Sequence, residues 1–257
     1  MLTRLETYYD SVPRSAARAE EFGPLTLFVR EGAGWPYYAR PALGQAGARE
    51  VPVAAVEKVR ARQRELGVPE AFEWVAETTP GLRAAVEASG LVVHEHPLMV
   101  LSAEAEAEQL PSPPQDVTVR MVGPDDPDLA SAVAAPYAAF GATPAPGATA
   151  QVTARLTAGL TRLAAAFDPS GTALAAGQHQ PVGPVTEVVG VGTLPDSRRR
   201  GLGLAVTAAL VADARALGVE TVFLSATDAT VARLYARLGF RTVGTALIAE
   251  AAGDDAS

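Results

Sequence analysis

One short segment combines arginine and glycine at a spacing suited to binding an anion. Residues 198–203, hereafter the arginine-glycine loop, read RRRGLG; an apolar strand pattern at 188–194 precedes them and a helical pattern at 204–217 follows. N–H groups in the first turn of a helix lack partners within the helix, and the helix dipole leaves that end partly positive. Glycines allow a phosphate to approach the backbone, and arginines add charge and forked donors. The loop therefore predicts a phosphate site.

The loop differs from two common nucleotide-binding motifs. No lysine followed by serine or threonine comes after Gly201 and Gly203, so the side chains with which a P-loop binds a γ-phosphate and magnesium are missing. The acid nearest to the spacing of a dinucleotide-binding fold, Glu220, precedes the next strand pattern instead of ending it. Taken alone, the loop leaves a plainer alternative open, in which the glycines only shape a turn and the arginines only begin a helix.

A second segment follows a predicted strand at 221–225. Residues 228–240 read DATVARLYARLGF, a helical pattern that ends in glycine and phenylalanine. Together with the arginine-glycine loop, this segment resembles the motif pair of the GNAT-type N-acetyltransferases, in the family's order and separation. That family has asparagine where this chain has Asp228, and a small alanine where it has Val231. The resemblance covers residues 117 to 250, approximately.

The resemblance implies that acetyl-CoA is the co-substrate and that the arginine-glycine loop binds its pyrophosphate. Strand backbone just before the loop would pair with the pantetheine arm, and a backbone N–H at a strand bulge would polarise the thioester carbonyl. Gly190 and Gly192 suit such a bulge. The residues expected to bind acetyl-CoA are Val191, Gly192, Thr193, Arg198, Arg199, Arg200, Gly201, Leu202, Gly203, Leu204, Ala205 and Asp228.

Side chains for proton transfer follow from the same resemblance. Tyr235 matches the tyrosine that protonates the departing sulfur, and its plainer alternative is a core aromatic. Glu187 lies at a spacing similar to that of the general base in histone-acetylating members; a solvated strand glutamate, with water chains as the base, is the alternative. His179 is a less favoured second base, because a lone histidine at a strand end is usually structural. Asp228 is expected to cap a helix.

Composition narrows the class of protein. The chain has 257 residues, 48% of them hydrophobic, which suits one large or two small packed domains. It has no apolar run near the roughly 18 residues of a membrane helix and no signal-like start, so a cytoplasmic protein with no membrane contact is expected. The absence of cysteine excludes disulfides, thiolate ligands and a cysteine nucleophile. His94 and His96 lack a third ligand, so no metal is expected.

The charge balance bears on binding partners. The formal net charge is −8, which argues against nucleic acid and favours a cationic acceptor such as an amine. A small-molecule primary amine is the expected acceptor, and with no cysteine available it would attack the thioester directly in a ternary complex. A non-catalytic acyl-CoA-binding sensor or scaffold is the alternative from another class, and a generic phosphate or nucleotide binder is the third. The oligomeric state cannot be read from the sequence.

These motifs need a sheet and helices to position them. We expect an α/β (mixed-sheet, α+β) chain with the GNAT acyl-CoA N-acyltransferase fold, in two GNAT-like halves. The halves are residues 1–110, a degenerate domain, and 117–257, the catalytic domain, with a Pro-rich linker at 111–116. In the second half, predicted strands lie at 117–122, 163–167, 172–179, 188–194, 221–225 and 241–249, and predicted helices at 127–140 (broken at Pro136), 151–160, 204–217 and 231–238. In the first half, helices are predicted at 57–66 and 82–89 and strands at 72–76 and 92–101.

The first half lacks the chemistry of the second. Where the loop should lie, residues 49–53 read REVPV, without glycine. Pro52 removes an N–H that would face a phosphate, and Glu50 would repel it. Val86 occupies the position that corresponds to Tyr235. We therefore expect this half to bind no acetyl-CoA, and either to pack against the other half or to line its acceptor pocket.

Overall fold

A computed structural model describes residues 1–32, 34–45, 47, 49–102 and 113–252. The chain falls into two units. The first unit holds Met1–Leu98, Ser225–Ala229 and the chain from Thr242 onward, and the second holds Met99–Leu224 and Thr230–Arg241. Among the described residues, no helix is both long and apolar enough to cross a membrane.

Helices and strands alternate through much of the chain. The helices are α1 (Leu2–Ser11), α2 (Val53–Leu66), α3 (Leu82–Ala88), α4 (Leu129–Ala139), α5 (Ala148–Thr157), α6 (Leu202–Ala216) and α7 (Ala229–Ala236). The strands are β1 (Ala17–Phe22), β2 (Leu25–Arg30), β3 (Ala39–Pro41), β4 (Ala71–Val75), β5 (Leu91–Leu101), β6 (Thr118–Val122), β7 (Arg162–Phe167), β8 (Ala173–Val182), β9 (Val185–Thr193), β10 (Thr221–Ser225) and β11 (Phe240–Ala251).

The first unit is built on strands in the order β1, β2, β3, β4 and β11, antiparallel except where β3 meets β4. Every residue of β4 is buried, and all of them are apolar except Glu73. The hydrophobic core of the first unit includes Leu25, Leu27, Val56, Val59, Phe72, Trp74, Leu82, Val86 and Leu247. Val86, at the position that corresponds to Tyr235, is thus a core residue.

The last strand belongs to the first unit. Ala246–Glu250 of β11 pair with Ala71–Val75 of β4. The predicted domain at 117–257 includes this strand, so the physical units do not coincide with the predicted sequence halves. A strand belongs to the unit whose strands it pairs with, and the order of the sequence alone does not reveal that pairing. Residues 111 and 112 of the predicted linker lie outside the described residues, and the division into two halves stays a prediction.

The second unit carries strands in the order β10, β9, β8, β7 and β6. β9 and β10 are parallel, and the other neighbours are antiparallel. A Cβ at Gly192 would meet α4, whereas a Cβ at Gly177 would meet Val191 of β9 and Leu210 of α6. Because Val191 and Gly192 are consecutive in a strand, they face opposite sides, and α4 and α6 therefore cover opposite faces of this sheet.

One predicted helix break is wrong. α4 continues through Pro136 to Ala139. Pro136 lies in the last turn, where its missing N–H costs a single helical bond to Ala132, and the N–H of Phe140 still donates to the carbonyl of Pro136 at 3.1 Å. The remaining predicted helices and strands are present, with ends shifted by a few residues. The segment at 49–52, where the first half would need a phosphate loop, leads into α2.

Candidate functional site

The arginine-glycine loop joins β9 to α6 through two left-handed backbone positions. A 3₁₀ turn at Pro195–Ser197 leads into it from the end of β9. Arg199 has φ 61° and Gly201 has φ 76°. Glycine adopts this conformation without cost, whereas a residue with a Cβ pays about 1 kcal/mol or more. A strained arginine here means that the surrounding residues fix the loop conformation.

The start of α6 presents backbone donors without a capping side chain. Gly201 is the N-cap residue and offers none, and the N–H of Ala205 donates to the carbonyl of Gly201 at 3.0 Å. The N–H groups of residues 202–204 precede this bond and so point out of the helix end. A Cβ added at Gly203 would lie 3.3 Å from Oγ1 of Thr193. The donors therefore lie directly beside the end of β9.

Two of the loop arginines are bonded within the protein. Arg198 donates from Nε to the carbonyl of Thr193 at 3.3 Å and from Nη2 to the carbonyl of Ala139 at 3.0 Å. Arg200 pairs with Asp116 at 3.3 Å; the Arg200 side chain is partly exposed and that of Asp116 largely exposed. Such an exposed pair contributes little to stability. Arg198 thus ties the loop to the ends of β9 and α4, which leaves its charge, more than its donors, for a ligand.

Arg199 differs from its neighbours. Its side chain is exposed, and no hydrogen bond or ion pair joins it to another described residue. It extends from a strained backbone position between two other cations, in a chain whose net charge is −8. Like charges at this spacing repel one another. A bound anion would relieve that repulsion and use the guanidinium donors of Arg199.

A bulge interrupts β9 just before the loop. Gly190 and Val191 together face the single residue Gly177 of β8, and Gly190 has φ 60°. The bulge expected from the glycine content of this strand is therefore present. A bulge turns the following side chains to the other face and increases the local twist. Before the bulge, the side chains at the even positions Thr186 and Val188 face α6. Because of the bulge, the side chain at the odd position Val191 faces α6 after it.

Gly192 allows α4 to approach the sheet closely. A Cβ at this position would lie 2.8 Å from Cβ of Ala139 and 2.9 Å from Cα of Pro136. Both distances are shorter than van der Waals contact, so only glycine fits without a shift of α4. The end of α4 is thereby held against β9, where its last carbonyl accepts the bond from Arg198.

The parallel pairing between β9 and β10 is short. It joins Val185–Glu187 to Thr221–Phe223, while β9 continues to Thr193 in register with β8. After Glu187, the described residues of the second unit give β9 a partner on one edge only. The N–H and C=O groups on the other edge can pair with an extended ligand, as an added strand would. The residues Val191–Thr193 lie on this stretch.

Tyr235 lies in α7, and the hydroxyl of Thr207 in α6 is one of the groups that act on its pKa. Oγ1 of Thr207 donates to the carbonyl of Gly203 at 2.9 Å. The ring packs edge-on against Phe240, with centroids 6.1 Å apart. Burial raises the pKa of Tyr235 above its usual value, and the hydroxyl of Thr207 opposes part of that rise. Tyr235 is therefore a neutral phenol at physiological pH.

Glu187 lies at the last residue pair of the parallel register, opposite Phe223. It is half-buried. Thr186 faces α6, and since successive side chains alternate in a strand, Glu187 points to the face that α4 covers. Thr193 lies roughly 20 Å further along the strand, at about 3.3 Å per residue. Glu187 is thus distant from the loop along the strand, and it lies where the pairing between β9 and β10 ends.

His179 is a structural residue. It is fully buried; Nδ1 lies 2.9 Å from Oγ1 of Thr186 and Nε2 lies 2.9 Å from the carboxylate of Asp213. Arg162 binds the same carboxylate through two bonds of 2.9 and 2.8 Å. Burial lowers the pKa of His179, and the guanidinium of Arg162 already balances the charge of Asp213. Both ring nitrogens are occupied, so the structure argues against its use as a second base.

The structure brings most of the predicted acetyl-CoA residues together. The end of β9, the arginine-glycine loop and the start of α6 adjoin one another. Asp228 is exposed and belongs to the first unit, directly before α7. Sequence reasoning missed Thr207; its signal was a hydroxyl one helical turn after Gly203 in an otherwise apolar helix face.

Comparison with known proteins bears on this segment. Residues 144–240 match the model of the acetyltransferase (GNAT) family, a range that spans the bulge, the loop and Tyr235. A comparison with curated proteins found no match.

Solved structures resemble the chain over most of its length. A GCN5-related N-acetyltransferase from Kribbella flavida covers 100% of this chain and 97% of its own, with 23% identity and a TM-score of 0.69. A GCN5-related N-acetyltransferase from Sphaerobacter thermophilus covers 90% of this chain and 81% of its own, with 18% identity and a TM-score of 0.63. A tandem GNAT protein from the clavulanic acid biosynthesis pathway covers 90% and 79%, with 15% identity and a TM-score of 0.56.

At these identities the likeness concerns the fold, and the expected mixed α/β fold of GNAT type is confirmed. Two halves in tandem are consistent with matches that span the whole chain. Residues 144–240 therefore match the acetyltransferase (GNAT) family, in a chain that has the fold of GNAT-type structures.

Proposed function

We propose that this chain is an acetyl-CoA-dependent N-acetyltransferase that moves the acetyl group to a primary amine. The observation that carries the proposal is the uncapped, glycine-bounded start of α6 beside the one-sided stretch of β9. The family match adds acyl transfer as the general chemistry. The amine acceptor and the use of acetyl-CoA are our inference from the residues around that helix start.

The chain's residues fit acetyl-CoA as a bound co-substrate, which supplies the acetyl group in activated thioester form. The N–H groups of residues 202–204 and the guanidinium of Arg199 would hold its pyrophosphate. A side chain at Gly203 would crowd Thr193 and Val191, at the junction between the helix start and the stretch of β9 proposed to bind the pantetheine arm. The open edge of Val191–Thr193 would pair with the amides of the pantetheine arm.

Tyr235 is the proposed acid. Its burial keeps the phenol protonated, so it can give a proton to the leaving sulfur. Phe240 packs edge-on against the ring, which favours a fixed orientation. The plainer alternative is a core aromatic.

Glu187 is the proposed base. It lies where the parallel pairing of β9 ends, so its carboxylate is on the strand that leads to the pantetheine-binding stretch. It would take the proton from the acceptor ammonium, directly or through water. The acceptor is proposed to be a small cationic amine, because the chain carries a net charge of −8.

A non-catalytic acyl-CoA-binding module is the second candidate. The raised pKa of Tyr235 favours it in one respect, because a buried phenol of raised pKa gives up its proton less readily. Release of free thiol from acetyl-CoA, measured with a panel of primary amines, separates the two. Turnover with any amine supports the enzyme, whereas calorimetric binding of acetyl-CoA without thiol release supports the binding module.

A further inference from the structure

Two neighbouring strands place a glutamine beside the proposed base. In the register of β8 and β9, Gln178 lies opposite Val189, two residues beyond Glu187. His179 contacts Asp213 of α6 at 2.9 Å. Its neighbour Gln178 therefore points to the other face of the sheet, as Glu187 does, and both side chains are half-buried. Diagonal neighbours on one face of an antiparallel pair lie about 7–8 Å apart, within reach of long side chains.

Gln178 also lies at the bulge of β9. Its register partner Val189 directly precedes Gly190, which adopts the left-handed conformation of the bulge. In the proposed reaction, the thioester carbonyl lies at this bulge and Glu187 takes the proton of the acceptor ammonium. The attacking nitrogen must therefore lie between these two places, which are about 10 Å apart along β9 at 3.3 Å per residue. Gln178 borders that interval.

A buried hydroxyl orients the amide of Gln178. Thr161 is fully buried, and its Oγ1 donates to Oε1 of Gln178 at 2.9 Å. The same Oγ1 lies 3.3 Å from the carbonyl of His179, so its single proton is directed to the nearer oxygen. With Oε1 engaged, Nε2 carries two donors, and no hydrogen bond joins them to another residue that the structure describes. The side chain of Gln178 therefore offers two N–H groups beside the path of the acceptor.

We propose that Gln178 is a specificity-determining residue, whose amide donates to an uncharged oxygen of the acceptor while Glu187 binds the acceptor's ammonium. The inference rests on the proposed function and narrows its acceptor to primary amines with a hydroxyl, ether or carbonyl oxygen within a few bonds of the nitrogen. A carboxylate in that place would be repelled by Glu187 and by the net charge of −8. Thr161 is the positioning residue that keeps the amide in this orientation.

The test compares two amines of equal length, 2-methoxyethylamine and n-butylamine, in which an ether oxygen replaces a methylene. Gln178→Leu keeps the approximate size of the side chain and removes its donors. It is expected to lower kcat/KM for 2-methoxyethylamine about fivefold to tenfold, the loss of one hydrogen bond, and to leave kcat/KM for n-butylamine within about twofold. Each amine is compared with itself in the wild type, so differences in amine reactivity cancel. Retained turnover of n-butylamine also shows that the variant folds.

The positioning role of Thr161 has its own pair of variants. Thr161→Val keeps the shape and removes the hydroxyl, so it is expected to lower kcat/KM for 2-methoxyethylamine about threefold and to spare n-butylamine. Thr161→Ser, which keeps the hydroxyl, is expected to match the wild type. Equal losses for both amines in Gln178→Leu, or no loss for either, would overturn the proposal. A Thr161→Ser variant as selective in its loss as Thr161→Val would overturn the positioning role.

A second readout needs no turnover. The side-chain amide resonances of Gln178, assigned by their loss in Gln178→Leu, are followed by NMR while the full chain, with excess CoA, is titrated with each amine. We expect 2-methoxyethylamine to shift these resonances more than n-butylamine does. If the wild type releases no thiol with any primary amine, the proposed function fails, while this titration still decides whether Gln178 binds the oxygen. Resonances that do not move, or that move equally with both amines, would overturn the inference.

Discussion

Two influences of opposite sign act on the pKa of Tyr235. Burial keeps the phenol neutral, and Thr207 moderates the resulting rise in its pKa. We predict that Tyr235→Phe lowers kcat about 100-fold, the lower end of what a general acid supplies, and leaves acetyl-CoA affinity within about twofold. Steady-state thiol release and calorimetry measure the two quantities. Unchanged turnover would remove the acid role and leave Tyr235 as a core aromatic.

Glu187 makes a different prediction, about pH. If it accepts the ammonium proton, the rate falls at low pH as Glu187 becomes protonated, so Glu187→Gln should abolish the acidic limb of the kcat/KM profile. Glu220→Gln is the matched control, because it makes the same change of charge at an exposed position before β10. The same acidic limb in wild type and Glu187→Gln would assign the base to water or another group.

Arg199 combines strain with an unbonded cation, so its substitutions should separate stability from binding. Arg199→Gly relieves the left-handed backbone and is expected to raise the free energy of unfolding by about 1 kcal/mol. The same variant should weaken CoA binding about fivefold to tenfold through the loss of a charged hydrogen bond. Urea unfolding and calorimetry measure the two effects.

The control for binding is Arg215→Ala, which removes a cation at the opposite end of α6, where no phosphate donors are expected. Equal weakening by both variants would mean that only the general charge of the protein matters. A loss of stability in Arg199→Gly would mean that the side chain, not the backbone, decides the conformation of the loop.

Sequence reasoning singled out the loop glycines and Tyr235 as candidates because short motifs report local chemistry. It could not assign partners to Arg198, which is expected to face a ligand but donates to the carbonyls of Thr193 and Ala139. The contacts that define the site depend on tertiary neighbours.

At the scale of elements, the approach of α4 to β9 depends on Gly192. We predict that Gly192→Ala lowers the free energy of unfolding by about 1–3 kcal/mol, the usual cost of overpacking. The added Cβ would meet the backbone of Pro136 at 2.9 Å, which cannot move without shifting the helix. The KM for acetyl-CoA should also rise, since Arg198 links the end of α4 to the loop.

Gly123→Ala is the matched control for packing, because a Cβ at Gly123 has nothing within 4 Å. Urea unfolding of the two variants gives the comparison directly. Similar stabilities for Gly192→Ala and the wild type would mean that α4 adapts freely, and the end of α4 would then have no fixed relation to the loop.

Periodicity and turn residues were sufficient for the regular elements of the second unit. The helix at α6 and the strand at β10 follow from apolar patterning bounded by glycine. The expected helix break at Pro136 is absent because a proline in the final turn of a helix removes only one hydrogen bond. β3 spans Ala39–Pro41, and so short a strand gives no periodicity to detect. Its pairing with β2 and β4 is decided by long-range contacts.

At the scale of the whole molecule, the His179 cluster makes stability depend on pH. The pKa of His179 is lowered from its ordinary value of 6.5 in the folded state. The unfolded chain therefore binds a proton first as pH falls, and the free energy of unfolding should decrease from about pH 6.5 downward. Asp213, whose pKa is also lowered, adds a further loss below its ordinary value of 3.8.

Urea unfolding at pH 8, 6.5 and 5.5 measures this dependence. His179→Gln should be less stable than the wild type at pH 8, because it disturbs a buried bonded network, and its stability should change less between pH 8 and 5.5. Subtraction of the two curves isolates His179 from other carboxylates. Parallel curves would mean that His179 titrates normally and is not held neutral by its surroundings.

The most direct test of the account is calorimetric titration of the full chain with CoA and acetyl-CoA. We predict one site per chain with a dissociation constant below about 1 mM, in the usual range for enzyme substrates, and weakening of at least about tenfold in Gly203→Val, whose side chain would fill the space beside Thr193. The absence of binding heat in the wild type, or equal affinity in Gly203→Val, would contradict a pyrophosphate site at the start of α6.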